Sequence, residues 1–325
     1  MRCGWITDVV SNDCEDADVI YEWYRPWRKY HVVVFVKSFS AECIEFAQYL
    51  NNKGVKVIFD INVDYFSTPY GSFFYQGMEP SDQQIANAKQ MASLADGIIA
   101  ASEHIAEKCR EYASVRWIPD NIKTSILPQK QAGSLSPNGK IRFLWSGMPQ
   151  KLADLLLIEK LLLEYSAQFE LLLITRHIHL LERCFAPYSE RLKKMFDQLN
   201  PVIIPFESIE QLLALYAEGG VFLSPRFLDN SYNLGHSEWK VTLPMSVGVP
   251  VLCSPVRSYK TLARRAEGGV RVCSTQEEWA ESFTHLFQKT LFQKEEHAAA
   301  RKVVAQYYYT EVVARQHYTF IKGFM

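Results

Sequence analysis

The chain has 325 residues, of which 48% are hydrophobic, and its formal net charge is −1 at pH 7. This length is enough for two domains of ordinary size, and the apolar content argues against a disordered chain. A nearly neutral chain lacks the basic excess of a nucleic-acid-binding protein, so no nucleic-acid partner is expected.

Seven cysteines are scattered along the chain without Cys-x-x-Cys spacing. This pattern favours free thiols in a reducing compartment over a disulfide or zinc framework. The N-terminus lacks the apolar core of a signal peptide, and no stretch reaches the roughly 20 apolar residues that cross a bilayer. We therefore expect a cytoplasmic protein, and peripheral contact with a membrane stays open.

The first part of the chain alternates apolar runs with amphipathic stretches. It predicts strands at residues 3–10, 31–36, 55–59, 96–102 and 115–118, and helices at residues 16–29, 41–53, 82–95 and 103–112. The aromatic residues of the first helix are expected to pack against the sheet rather than to stack on a sugar. Repeated strand–helix units predict a parallel sheet with right-handed crossovers.

Residues 127–140 contain two prolines, two serines and two glycines without periodicity, which indicates a linker. After it, strands are predicted at residues 141–145, 170–175, 202–205, 221–224, 249–253 and 270–273. The predicted helices span 153–165, 177–200 with a break at Pro187, 207–217, 237–247, 259–267, 277–288, 294–305 and 310–321. The chain thus divides into domains at 1–126 and 141–305, followed by a C-terminal helix within 306–325.

Residues 221–254 read as strand, polar loop, helix and strand, and in such units ligands bind at the carboxyl ends of the strands. Ser237 is a plausible helix N-cap, and Lys240 follows one turn later. Unpaired backbone N–H groups at such a helix start, together with a lysine, can hold a diphosphate. The alternative is an ordinary loop and an amphipathic helix with a surface lysine. Pro244 either kinks this helix or makes it begin near Thr242.

His177 and His179 stand at alternate positions, as metal ligands can. No acidic or cysteine cluster accompanies them in the sequence, so no metal site and no cofactor are predicted.

Three segments carry a resemblance. Residues 240–251, Lys-Val-Thr-Leu-Pro-Met-Ser-Val-Gly-Val-Pro-Val, resemble the donor-site segment of GT-B glycosyltransferases of the family-4-like, "glycosyl transferases group 1" kind. Residues 57–62, and residues 95–104 continuing to 117–122, are similar to the acceptor half of the same enzymes. Two family glutamates are missing, because Leu243 and Gly235 stand at their positions.

The resemblance implies an α/β fold of two Rossmann-like parallel-sheet domains facing across a cleft, with the C-terminal helix packing back on the first domain. It implies transfer of a sugar from a nucleotide-diphosphate donor to a hydroxyl acceptor, which is a glycan, a lipid-linked molecule or a protein. No metal is expected, because basic residues stabilise the leaving diphosphate. The candidates for that task are the side chains of Lys151, Arg226, His236 and Lys240 and the backbones of Gly147 and Ser237. Phe206 lies where the family packs the nucleobase.

A general base can take the proton of the acceptor hydroxyl, and the candidates are aspartates that follow predicted strand ends. Asp60 is the first choice and Asp13 the second, with Asp64 nearby in the same loop as Asp60. The alternative is that each aspartate caps a turn.

Two other functions stay open. The missing glutamates favour a non-catalytic GT-B-like subunit that binds a nucleotide or glycan and partners an active transferase. A GT-B epimerase would share the two-domain shape. A dinucleotide dehydrogenase is disfavoured, because no Gly-x-Gly-x-x-Gly follows the first predicted strand.

Overall fold

The computed structural model describes residues 2–13, 19–68, 80–132, 134–137, 139–176 and 186–325. The first part forms a four-stranded parallel sheet whose strands lie in chain order. Its elements are α1 (Arg2–Asp13), β1 (Val32–Val36), α2 (Ala41–Asn52), β2 (Lys56–Ile61), α3 (Asp82–Leu94), β3 (Gly97–Ala100), α4 (Glu103–Cys109) and β4 (Ser114–Trp117).

The second part forms a six-stranded parallel sheet in the order β10-β9-β8-β5-β6-β7. Its strands are β5 (Ile141–Gly147), β6 (Phe169–Thr175), β7 (Val202–Pro205), β8 (Val221–Ser224), β9 (Val251–Cys253) and β10 (Val270–Val272). Its helices are α5 (Glu159–Glu164), α6 (Ala186–Leu199), α7 (Ile209–Ala217), α8 (Ser231–Leu234), α9 (Trp239–Ser246), α10 (Arg257–Arg265) and α11 (Gln276–Phe287), and a 3-10 helix, Pro149–Ile158, precedes α5. The predicted fold class, two parallel-sheet α/β units, is confirmed.

Serine side chains start several of these helices. Ser40, Ser102 and Ser208 each accept a hydrogen bond from the backbone N–H three residues further on. Ser81 and Gln84 form a complete capping box at α3. Each cap satisfies a backbone donor that the helix itself leaves unpaired, so the local sequence sets where these helices begin.

The last two helices join the two sheets. Helix α12 (Lys294–Tyr307) packs on α9, and α13 (Thr310–Lys322) packs on α1. One face of the first sheet, with Ile58 and Ile99, is covered by Ile6 of α1 and Val313 of α13 in a single apolar cluster. The first sheet therefore completes its core with both the earliest and the latest helix of the chain.

Residues 3–10 were predicted as a strand, and this is wrong because they lie within helix α1. The buried positions are Cys3, Ile6, Thr7 and Val10, spaced by three or four residues. That spacing puts one apolar stripe on a helix, whereas a half-buried strand would bury every second residue. The apolar run is too short for its spacing to distinguish a helix from a strand.

The helix predicted at residues 16–29 is also absent from its described part, residues 19–29. Pro26 removes a backbone donor there, as expected of a helix breaker. Trp23 and Trp27 are 65% and 78% exposed, so the prediction that these rings pack against the sheet is wrong. Tyr21 does turn inward, and its hydroxyl lies 2.9 Å from Nδ1 of His317.

Part of the predicted helix at 177–200 lies outside the described residues, including His177 and His179. Helix α6 begins at Ala186, so Pro187 stands in its first turn, where proline fits, and does not break it. Among the described residues no helix is both long and apolar enough to cross a membrane.

The two sheets meet through their connecting helices. Thr261 in α10 donates to Oε2 of Glu103 in α4 at 2.8 Å, and Arg257 pairs with Glu107. The guanidinium of Arg265 lies 4.7 Å from the ring centroid of Trp117. These contacts bring the carboxyl-end edge of the first sheet against the segment around α9 and α10.

Glu238, at the N-terminus of α9, is a fully buried acid at this junction. Burial raises the pKa of its carboxyl to about 8, and the Asp120 carboxylate adds to the rise. The Arg265 guanidinium acts in the opposite direction. The folded chain therefore keeps this group protonated at a pH where an unfolded chain would ionise it.

The structure predicts that Glu238→Gln is more stable than the wild type above about pH 5. Because the folded pKa is raised from 4.5 to about 8, the stability that the proton contributes is present below pH 4.5 and lost as pH rises through 8. The free energy of unfolding of Glu238→Gln should exceed that of the wild type by an amount that grows by up to about 1.4 kcal/mol per pH unit between those values. Urea unfolding from pH 5 to 8 measures it. Glu210→Gln, an exposed glutamate in α7, is the control, and parallel curves for wild type and Glu238→Gln would contradict the prediction.

Candidate functional site

A group of basic side chains lies at the carboxyl ends of β5 and β8. Gly147 is the last residue of β5, and Lys151 follows in the 3-10 helix. Arg226 comes just after β8, and Lys240 lies in the first turn of α9. Parallel strands place these segments at one edge of the sheet, where α/β proteins bind ligands.

Asn233 of α8 is the centre of this group. Its Oδ1 accepts from Nζ of Lys151 at 2.7 Å and from Arg226 at 3.3 Å. Its Nδ2 donates to Oδ1 of Asp154 at 3.1 Å. Arg226 also forms an ion pair with Asp154 at 2.8 Å, and both side chains are almost fully buried. The amide therefore fixes two cations and one carboxylate relative to each other.

Lys240 reaches the same group from α9. Its Nζ lies 4.5 Å from the ring centroid of Trp145 and forms no ion pair with any described residue. A Cβ placed on Gly147 would come within 3.0 Å of the Trp145 ring and 3.3 Å of Nζ. Glycine at the end of β5 thus leaves room for both the indole and the ammonium.

The like charges of this group act on one another. Burial lowers the pKa of the Lys240 ammonium well below its usual value, Arg226 lowers it further, and Asp154 raises it. Burial also lowers the pKa of His236, with further lowering by the three basic side chains. The Nε2 atom of His236 is buried without a hydrogen-bond partner among the described residues. An anion bound here would raise the pKa values of Lys240 and His236 again.

Ser237 was predicted to cap the helix, and this is wrong. The N-cap of α9 is Glu238, which makes no side-chain cap bond. The Ser237 hydroxyl donates to Oδ2 of Asp120 in the first part of the chain at 2.5 Å. The helix does not begin near Thr242 either: it begins at Trp239, and Pro244 stands inside it.

Phe206, the predicted nucleobase contact, follows β7 at the same end of the sheet. Its backbone N–H donates to the carbonyl of Thr175 at 3.1 Å, and the guanidinium of Arg176 lies 4.9 Å from its ring centroid. The ring is half-buried, as a stacking surface must be. Its predicted role stays a prediction.

The two predicted bases differ in their settings. Asp60 lies in β2, is 1% exposed, and has Cys3 and His317 as neighbours. Asp13 is the last residue of α1, so it does not follow a strand end, and its side chain lies outside the described part. Asp64 is buried and is held by Ser67, by the backbone of Phe66 and by His104.

A cavity of about 380 Å³ opens beside Asp60. It is lined by residues of the first part of the chain and by Trp239 from the first turn of α9. The lining residues with polar or indole side chains include Lys37, Asp60, Asn62, Asp120, Asn121 and Trp239. A mostly apolar cavity with several polar side chains and an indole wall can accept a hydroxyl-rich molecule.

The positions of the two missing glutamates are explained by packing. A Cβ on Gly235 would lie 2.8 Å from Cβ of Asp64, and the Gly235 carbonyl accepts from the Ser102 hydroxyl at 3.0 Å. A side chain would therefore push the two parts of the chain apart. Leu243 is 2% exposed and belongs to the apolar core under the second sheet.

Sequence analysis missed several residues of this site. Asn233 lies within residues 221–254, the strand, loop, helix and strand segment, but no role was predicted for it. Asp154 and Trp145 belong to stretches read as an ordinary helix and strand. A lone acid within the apolar 3-10 helix Pro149–Ile158, where Asp154 is 0% exposed, was the available signal for the first of these.

No protein-family model and no curated protein sequence matches the chain. Solved structures do match over most of its length. Sucrose-phosphate synthase from Thermosynechococcus elongatus aligns at 14% identity and a TM-score of 0.61, over 90% of this chain and 73% of that one. Anabaena HepE in complex with UDP-glucose aligns at 12% identity and a TM-score of 0.63, over 90% and 79%.

A third match is an Escherichia coli protein described as trehalose-6-phosphate bound with UDP-2-fluoro glucose, at 11% identity and a TM-score of 0.60. That match covers 90% of this chain and 72% of the other. Likeness at such low identity shows the fold alone. With its two parallel sheets and their connections, the chain has the GT-B fold of these glycosyltransferase structures.

Proposed function

We propose that this protein transfers a sugar from a nucleotide-diphosphate donor to a hydroxyl acceptor. The donor diphosphate binds at the basic group at the ends of β5 and β8, and Phe206 contacts the base. The leaving diphosphate is stabilised by cations rather than by a metal ion. HepE and the E. coli protein bind UDP-linked sugars, which makes UDP-glucose the first donor to test.

The observation that carries the proposal is the setting of Lys240. Its ammonium lies beside other cations, without an acidic partner among the described residues, and next to a glycine that keeps the space open. Buried like charges are costly unless something balances them. A diphosphate supplies that balance, because its oxygens accept from several donors at once.

Within this group the roles differ. Lys240 and the Gly147 backbone contact the diphosphate. Lys151 and Arg226 are already held by Asn233 and Asp154, so they raise the local potential and orient the site. His236 supplies a neutral ring in the free protein and becomes a cation when the diphosphate binds. The Ser237 backbone stays a candidate contact, although its hydroxyl is used by Asp120.

The acceptor occupies the cavity beside Asp60, and Asp60 takes the proton of the attacking hydroxyl. Its carboxylate lines that cavity at the end of the first sheet, across from Trp239. The acceptor class stays open among a glycan, a lipid-linked molecule and a protein.

A second function is favoured by Gly235 and Leu243, which leave the ribose and the transferred sugar without the family's carboxylates. On this reading the protein binds a nucleotide or glycan without turning it over and serves an active transferase. Calorimetry with uridine, guanosine and adenosine diphosphates, followed by a donor-hydrolysis assay, separates the two. Tight binding without hydrolysis or transfer supports the binding subunit, and turnover supports the enzyme.

Lys240→Met should weaken nucleoside diphosphate binding by about 10- to 100-fold, the size of one lost hydrogen bond to a charged group. Methionine keeps the length and the packing on Trp145 and removes only the charge. Isothermal calorimetry with the preferred nucleotide measures the change.

Lys260→Met, an exposed lysine of α10, is the matched control for this variant. It should bind as the wild type does. Unchanged affinity in Lys240→Met would remove this lysine from the diphosphate site.

Diphosphate binding should be accompanied by proton uptake. The pKa of His236 is lowered in the free protein, chiefly by burial, and a bound anion raises it, so this ring takes up a proton as the complex forms. Calorimetric titration near pH 7 in buffers of different ionisation enthalpy measures the number of protons. His236→Asn should reduce that number, and binding without any proton linkage would contradict the proposed site.

Asp60→Asn should reduce sugar transfer by about 10²- to 10⁴-fold, the usual contribution of a general base, with nucleotide affinity unchanged. Steady-state transfer and calorimetry on the same preparation measure the two effects. Asp8→Asn, an exposed acid on α1, is the control. Wild-type transfer by Asp60→Asn would remove the base role.

A further inference from the structure

Three side chains that bind metals in many proteins converge behind the cavity. Cys3 comes from α1, Asp60 from β2 and His317 from α13. Each is buried, and their sulfur, oxygen and nitrogen atoms all lie within 4.8 Å of one another. Because these residues are so far apart in the sequence, no motif with a fixed spacing predicts the cluster.

Two of the distances within the cluster match those of a tetrahedral centre. The Cys3 Sγ lies 3.4 Å from Oδ2 of Asp60, and Nε2 of His317 lies 3.5 Å from the same oxygen. Zinc bonds of about 2.0 Å to oxygen and nitrogen and about 2.3 Å to sulfur, at tetrahedral angles, separate such ligand atoms by about 3.3 to 3.5 Å. The third pair, Cys3 Sγ and His317 Nε2, lies within 4.8 Å, so the three atoms are close enough to share one ion.

The imidazole is oriented for this purpose. Its Nδ1 lies 2.9 Å from the Tyr21 hydroxyl, so Nδ1–H can donate to that oxygen and leave the lone pair of Nε2 directed at the cluster. Nε2 of His317 is buried and has no hydrogen-bond partner among the described residues. Zinc-binding histidines are commonly held by such a contact through the other ring nitrogen.

We propose that Cys3, Asp60 and His317 bind one zinc ion, with Tyr21 orienting the histidine. Sulfur, nitrogen and oxygen ligands together suit zinc better than magnesium or calcium. Cys3 and Asp60 also line the cavity of about 380 Å³, which gives the ion an entry path and a water for its fourth position.

Binding replaces the proton of the Cys3 thiol, which now donates to Asp60. Zn²⁺ bonds to the thiolate, and that proton is released to the solvent. The Asp60 oxygen that binds zinc cannot also accept a proton from an acceptor hydroxyl. Zinc therefore holds α1, β2 and α13 together and, where Asp60 acts as the base, inhibits transfer.

This inference does not need the proposed function, because the test measures zinc directly. The full chain is depleted of metal with a chelator and titrated with Zn²⁺ against a competing chromophoric chelator. The expected result is one zinc per chain, together with a rise in melting temperature, because the ion binds the folded state. Cobalt in place of zinc should give a thiolate charge-transfer band in the wild type.

Cys3→Ser and His317→Asn should each lose at least about 100-fold in zinc affinity, and Cys3→Ser should lose the cobalt band. Tyr21→Phe keeps the aromatic ring, so it should fold even if the ligand variants do not. Its zinc affinity should fall by about 10- to 100-fold, because the histidine is no longer oriented by a hydroxyl. Cys43→Ser on α2 and His285→Gln on α11 are the matched controls and should bind as the wild type does.

Less than one zinc per chain in the wild type overturns the proposal. The proposal is also overturned if Tyr21→Phe and one of the two ligand variants, each measured alone, both bind zinc with wild-type affinity. The ion would then bind elsewhere. If the protein shows no transferase activity, the proposed function fails, but the zinc measurement and its conclusion are unaffected.

Discussion

The arrangement of the basic group at the carboxyl edge of the second sheet depends on one buried amide. Asn233 contacts Lys151, Arg226 and Asp154 at once, and so fixes the 3-10 helix after β5, the loop after β8 and the short helix α8 relative to one another. Cations gathered in a buried place repel each other, and such a group persists only when each member is well satisfied. The carboxylate of Asp154 balances part of the charge, which leaves the site attractive to anions.

The close approach of the two sheets is the second constraint. Gly235 lies against Asp64, and Ser102 uses its hydroxyl to bond the Gly235 carbonyl while it caps α4. A glutamate at that position, where the sequence resemblance would place one, does not fit this arrangement. The glycine at residue 235 and the tight contact between the sheets are therefore two aspects of one geometry.

Most of the fold followed from apolar periodicity and capping. The buried runs of β2 and β5 are local signals, and the structure confirms the strands predicted from them. The serine caps of α3 and α4 in the structure are equally local features. Helix α1 was not predicted because its apolar residues are few and close together in the sequence. Such a short pattern fits a strand and a helix equally well unless the residues that pack against it are known. Those partners, Ile58 and Val313, are supplied by distant parts of the chain.

The candidate site residues that the sequence nominates at the ends of β5 and β8 lie close together in the structure, whereas most of their contacts could not be predicted. A glycine at the end of β5 and a lysine in α9 can be read from a local pattern. The role of Ser237 could not, because its hydroxyl finds Asp120 across the junction between the sheets. Asp154 and the cluster of Cys3, Asp60 and His317 depend on tertiary packing alone, which no spacing rule records.

The cover of the first sheet by α1 and α13 bears on how the protein is made. A ribosome releases the first four strands long before α13 exists, so the sheet face with Ile58 and Ile99 stays half uncovered during most of synthesis. Exposed apolar surface on a nascent sheet promotes aggregation, and chaperones bind such surfaces. The first sheet therefore acquires its full core only after α13 has been synthesised.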